Sequence, residues 1–250
     1  TGSRNVAIGA YALKDLNNDA LSYNVGVGYA AGLSISSGIQ NTLIGGLAGD
    51  ALTTGSRNVA IGYSALTTED GDGYNVAIGA FALEDQNAGA TAYNVAVGYG
   101  AGENVTTGVQ NTLIGGLAGD ALTTGNYNIA IGHTALSTED TGHKSVAIGH
   151  QALLNQNYNG DALNTAVGHN VGAAITDGIF NTLIGGLSGD SLTTGNNNVT
   201  LGYATLSDED GHGYNVAIGS YALQTLNAGG DAYNVAVGYS TGRALTTGPE

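Results

Sequence analysis

Residues 58–66 read NVAIGYSAL, and residues 75–79 read NVAIG again. The same five letters stand at 5–9 and 215–219, with close variants between them. The stretch is too short for a helix, rich in β-branched residues and bounded by Asn and Gly. It reads as a short strand between turns. Aligned on Asn, the units start at Asn5, Asn24, Asn41, Asn58, Asn75, Asn94, Asn111, Asn128, Ser145, Asn164, Asn181, Asn198, Asn215 and Asn234. The spacings run 19, 17, 17, 17, three times over, with a final 19. The order therefore repeats every 70 residues, as from Asn5 to Asn75. The longer register is visible directly: NTLIGGLAGDALTTG at 41–55 returns at 111–125, and as NTLIGGLSGDSLTTG at 181–195.

A unit of this length with short strands and Thr-Gly turns makes one coil of a parallel β-solenoid. The expectation is an all-β chain of about 14 coils of 17 or 19 residues. Stacked at about 4.8 Å, they would make a rod of roughly 65 Å. The super-repeats are 5–74, 75–144 and 145–214, with a partial one at 215–250. No linker interrupts them, so 1–250 reads as one continuous solenoid segment. It opens in mid-pattern at TGSRNVAIG, which is expected of part of a longer chain.

In a stack each position lies above its own copy. Gly at the fifth position of all fourteen units predicts a corner with positive φ or a close backbone approach. Asn at the first position of thirteen predicts turn geometry and amide hydrogen bonds along the stack.

Composition narrows the function. There are 43 Gly, 1 Pro, and no Cys, Met or Trp; the formal net charge is -15. An acidic chain repels phosphate, which argues against nucleic-acid partners. No basic amphipathic segment and no apolar run of about 20 residues points to membrane contact. Without Cys there are no disulfides and no thiolate metal ligands.

Side chains alternate along a strand. Val6 and Ile8, with Leu13 and its equivalents, are expected to fill the coil. The other face carries Ala7, Gly26, Leu43, Ala60, Ala77, Ala96, Leu113, Ala130, Ala147, Ala166, Leu183, Thr200, Ala217 and Ala236. It is small and apolar nearly throughout, whereas a solvated face should be polar. The expectation is interchain packing through these Ala and Leu residues, with Leu43, Leu113 and Leu183 as larger knobs. The alternative is a wide coil with both faces internal.

NVAIGYSAL (58–66) and SVAIGHQAL (145–153) resemble the head repeats of YadA-like trimeric autotransporter adhesins, and related repeats occur in phage tail fibres. The resemblance covers the whole chain. It implies a left-handed parallel β-roll with three chains packed side by side. Head repeats of that family are shorter, and the extra residues here, after Ala-Leu, are expected to form outer loops.

Several columns carry candidate chemistry. Glu69, Asp70 and Asp72, Glu139 and Asp140, and Asp208, Glu209 and Asp210 share one register. Oxygen-rich loops with Gly between carboxylates can hold calcium; solvated surface charge is the plainer reading. Asp50, Asp120 and Asp190 read as turn residues. His133, His150 and His169 follow the corner Gly in three successive coils and should stack, as a transition-metal column or as plain surface. Tyr29, Tyr63, Tyr99, Tyr203 and Tyr239 hold that position elsewhere. Tyr23, Tyr74, Tyr93, Tyr127, Tyr214 and Tyr233 precede a starting Asn, where they pack on the corner or present rings to a glycan. The pairs Thr53–Thr54, Thr123–Thr124 and Thr193–Thr194 are too interrupted for an ice-binding array.

No Ser/His/Asp arrangement repeats, and the acidic loops, the only carboxylate groups suited to glycan hydrolysis, occur three times over. The reading is therefore not an enzyme and carries no cofactor, with calcium the single candidate. It is a structural extracellular fibre or adhesin segment that assembles as a homotrimer and mediates attachment at a cell surface or on a virion. Its partners would be copies of itself and a surface glycan or host receptor. The alternatives are a virion tail-fibre shaft, a filament of solenoids stacked end to end through unpaired edges, and a glycan-active enzyme.

Overall fold

The computed structural model describes residues 3–17, 21–71, 73–89 and 91–247. The chain divides into two compact units, Thr1–Tyr127 and Asn128–Glu250. The first carries β1 (Val6–Ile8), β2 (Val25–Val27), β3 (Thr42–Ile44), β4 (Val59–Ile61), β5 (Val76–Ile78), β6 (Val95–Val97) and β7 (Thr112–Ile114). The second carries β8 (Ile129–Ile131), β9 (Val146–Ile148), β10 (Thr165–Val167), β11 (Thr182–Ile184), β12 (Val199–Leu201), β13 (Val216–Ile218) and β14 (Val235–Val237). Within each unit consecutive strands pair in parallel and in register, as Val59, Ala60 and Ile61 do with Val76, Ala77 and Ile78. Among the described residues there is no helix. The chain is an all-β parallel solenoid with repeats of about 17 residues, and each coil is numbered here by its strand.

The coil is held by rungs to its neighbours. The Val59 N–H donates to Asn75 O at 2.9 Å, and the Gly62 N–H to Ile44 O at 2.8 Å. Between rungs the corner glycine is required. Gly62 has φ +143°, and a Cβ there would lie 2.4 Å from Gly79 O in the next coil. Any side chain would break the rung it sits on. The starting asparagine acts twice. Asn41 Oδ1 accepts the Asn58 N–H at 2.9 Å, and Asn41 Nδ2 donates to Gly55 O at 2.9 Å. One side chain thus ties a coil to the next and closes its own far corner.

The faces of the strand are the reverse of the sequence expectation. Ala60, Ala77, Ala96, Ala130, Ala147, Ala166, Ala217, Leu43, Leu113 and Leu183 are fully buried within a single chain, and Ala236 almost so. They cannot be the interchain contact, because they fill the coil itself. Only Ala7 at β1 is exposed. Val and Ile point outward instead, Ile8 at 60% and Ile44 at 38% exposure.

The physical reason is interior volume. Each coil is filled by its strand centre and by residues seven, eight and eleven past its start, and large groups must trade places among them. Coil 4 uses Ala60, Ala65 and Leu66, with Glu69 at the eleventh position. Coil 3 uses Leu43, Ala48 and Leu52, with Gly49 at the eighth. A Cβ on Gly49 would lie 2.7 Å from Leu52 Cδ1 and 2.9 Å from Leu43 Cδ2. Leu at the eighth position thus goes with a shorter or polar residue elsewhere, and Gly there makes room for Leu43, Leu113 and Leu183. A stripe of Val and Ile at the strand centre would overfill a space closed on all sides.

Candidate functional site

In each unit the outward sheet face is one continuous surface. Its two columns are mostly Val and Ile, with Thr42 and Thr112 in the first unit and Thr165 and Thr182 in the second. Three residues per strand and seven strands give an apolar ribbon of roughly 10 by 30 Å. With its borders counted, that is on the scale of the largest apolar patch of a typical monomer, which is often functional.

Aromatic columns border this ribbon. Beside the corner glycines, Tyr63, Phe81 and Tyr99 pack edge to face at 5.7 Å. In the second unit Tyr203, Tyr221 and Tyr239 do the same at 5.5 and 6.0 Å. Tyr74 and Tyr93, before the starting asparagines, lie 5.2 Å apart, and Tyr214 and Tyr233 lie 5.0 Å apart. Arg57 Nη1 donates to the Tyr74 hydroxyl at 2.6 Å, with its guanidinium over that ring. Tyr23, Tyr29, Tyr63, Tyr99, Tyr127 and Tyr203 are all exposed. Of these, Tyr29, Tyr63, Tyr99 and Tyr203 pack on a neighbouring ring at the surface, and Tyr23 lies under the Arg4 guanidinium.

The predicted imidazole column forms. His133 and His150 stack at 5.5 Å and 13°, and His150 and His169 at 5.2 Å and 9°. All three are exposed. They take the place that Tyr63 and Tyr99 hold in the first unit.

The acidic register is not a set of solvated loops. Asp70, Asp208 and Asp210 are exposed and Asp140 is half-buried, but Glu69, Glu139 and Glu209 are wholly buried. Asp72 lies outside the described residues. Glu139 Oε1 accepts the Gly142 N–H at 2.8 Å, and Oε2 accepts Gln156 Nε2 at 2.8 Å and the Tyr158 N–H at 3.4 Å. Burial raises the Glu139 pKa above its ordinary value, against these hydrogen bonds, which lower it. Gln156 is shared: it also donates to Ser145 Oγ at 2.8 Å and accepts from Asn164 Nδ2 at 2.8 Å. Ser145 replaces the usual Asn where this glutamine arrives. Glu209 sits under Leu226 rather than a glutamine. Its Oε1 accepts the N–H and Nδ1 of His212, both at 3.1 Å, and its Oε2 accepts the Ala228 N–H at 3.1 Å.

Asp50, Asp120 and Asp190 each carry one buried carboxylate oxygen without a hydrogen-bond partner. Burial pushes all three pKa values up; the Asp208 charge adds to this at Asp190 and the Glu103 charge at Asp120. Thr53 and Thr193 donate their hydroxyls to the carbonyls of Asp70 and Asp210, which makes them part of the stack and not a flat array.

The sequence reading missed the Glu–Gln network and His212. A signal existed: the eleventh position is apolar in Gly-type coils, whereas five of the seven Leu-type coils place Glu69, Gln86, Glu139, Gln156 or Glu209 there, Leu16 and Leu226 being the exceptions. No family model matches the chain, and neither a curated protein nor a solved structure matches it.

Proposed function

We propose that this chain is a structural fibre or adhesin segment that assembles side by side, three chains together, through the outward Val/Ile face. Attachment to a surface glycan or receptor is its role at a cell surface or on a virion. The observation that carries the reading is the unpartnered apolar ribbon with its aromatic borders. β-Branched residues held on a flat sheet lose little entropy when a second sheet covers them. Burying one such side chain contributes about 1.5–3 kcal/mol. The resemblance of the repeats to trimeric adhesin heads supports the same arrangement.

The test is sedimentation of the intact chain beside the double variant Ile44→Lys/Ile78→Lys. Both side chains point outward, so the coil keeps its fold and its circular dichroism. The native chain is expected at three times the monomer mass and the variant at one. A native chain that stays monomeric at micromolar concentration would overturn the reading.

A further inference from the structure

Coil 12 differs from its two equivalents. Coil 8 reads Glu139-Asp140-Thr141-Gly142, and coil 12 reads Glu209-Asp210-Gly211-His212. The histidine takes the place of Gly142. Its carbonyl still accepts from Asn198 Nδ2 at 3.2 Å, as Gly142 O does from Asn128 Nδ2 at 2.8 Å. The backbone task is unchanged, and the imidazole is an addition. It places Nδ1 3.1 Å from Glu209 Oε1. Asp210 joins them: one potential ligand atom from each of the three side chains lies within 4.8 Å of the other two.

We propose that Glu209, Asp210 and His212 form a zinc-binding site, with Glu209 as the buried anchor and Asp210 and His212 closing it from solvent. A nitrogen and an oxygen about 3.0–3.4 Å apart have the separation of two ligands on one ion at about 2.0–2.1 Å. One imidazole with two carboxylates suits zinc better than calcium or magnesium, which take oxygen alone. Water completes the coordination. On binding, Nδ1 gives its lone pair to the ion in place of its hydrogen bond to Glu209, and the neutral ring moves its single proton from Nδ1 to Nε2 by way of solvent.

The charge balance favours an ion here. Glu209 is buried between Asp208 and Asp210, and Asp190 lies close enough for the Asp208 charge to raise its pKa. In coil 9 a glutamine amide meets the equivalent carboxylate; in coil 13 Leu226 stands there. His212 and a bound cation supply what the amide does elsewhere. The site is separate from the exposed column of His133, His150 and His169.

The experiment is calorimetric titration of Zn²⁺ into the untagged chain, freed of metal by chelation, with three variants alongside. His212→Gly installs the residue that coil 8 carries at this position, Gly142, and so keeps the fold. Asp210→Asn removes a charge from an exposed side chain. The triple variant His133→Ala/His150→Ala/His169→Ala removes the competing imidazoles. One zinc per chain is expected, at least tenfold weaker in His212→Gly and Asp210→Asn and unchanged in the triple variant. Zinc should also raise the unfolding midpoint of the native chain and not that of His212→Gly. Absence of binding, equal binding by His212→Gly, or loss only in the triple variant overturns the proposal.

Discussion

Glu139 and Glu209 occupy one position in two copies of the same 70-residue repeat, yet they are satisfied differently. Glu139 is met by a glutamine from the next coil, which also serves Ser145 and Asn164. Glu209 lies beneath a leucine and is met by a histidine of its own loop. The backbone and the burial are common to both. A stacked solenoid fixes where a charge is buried, and either the coil above or the local loop can satisfy it. An ionised carboxylate accepts and never donates, so every solution brings N–H groups to it.

The largest test of this comparison is to make coil 9 resemble coil 13. Gln156→Leu removes three hydrogen bonds from the interior, and at roughly 1 kcal/mol each the loss should be about 3 kcal/mol. Chemical denaturation measures it. A loss below half of that would mean that Glu139 does not depend on the coil above.

The second test is pH. The folded-state pKa of Glu139 lies above its ordinary 4.5. The folded chain then binds the proton more tightly than the unfolded one, so its contribution is fully present below the unfolded value and is lost as pH rises through the folded one. Asp50, Asp120 and Asp190 act in the same direction. The chain should be more resistant to denaturant at pH 4 than at pH 7, and Glu139→Gln should narrow that difference. A steeper dependence in the variant would contradict the assignment.

The smallest effect is the reverse exchange. Leu226→Gln offers Glu209 an amide but removes a buried leucine, and both carboxylate oxygens already have donors, Oε1 from His212 and Oε2 from the Ala228 N–H. The gain should be no more than about 1 kcal/mol. A gain matching the loss at Gln156 would show that the histidine contributes nothing.

Much of the architecture was legible in the sequence. The spacing of Asn58, Asn75 and their copies placed every strand, and the corner glycines and the asparagine ladder were read for the right reasons. The side on which the core lies was not legible. Val59 and Ala60 must face opposite ways, but both faces are apolar, and alternation alone does not say which is inside. The deciding clue was the exchange between Gly49 with Leu52 and Leu66 with Glu69, which is a statement about volume and not about hydrophobicity. The buried glutamates were read as surface charge because their partners lie in the next coil or a few residues along the loop. His212 was passed over because it does not repeat.

One measurement bears most directly on the reversal of faces and the assembly built upon it. The chain has no cysteine, so a single one reports on its own site. Cysteines placed at Ala60 and, separately, at Ile61 can be timed against a maleimide, in the native background and in Ile44→Lys/Ile78→Lys. The Ile61→Cys thiol should be shielded in the native assembly and react quickly once the outer face is opened, while the Ala60→Cys thiol should stay unreactive until the chain unfolds. Faster labelling at position 60 than at position 61 in the folded chain would contradict the account.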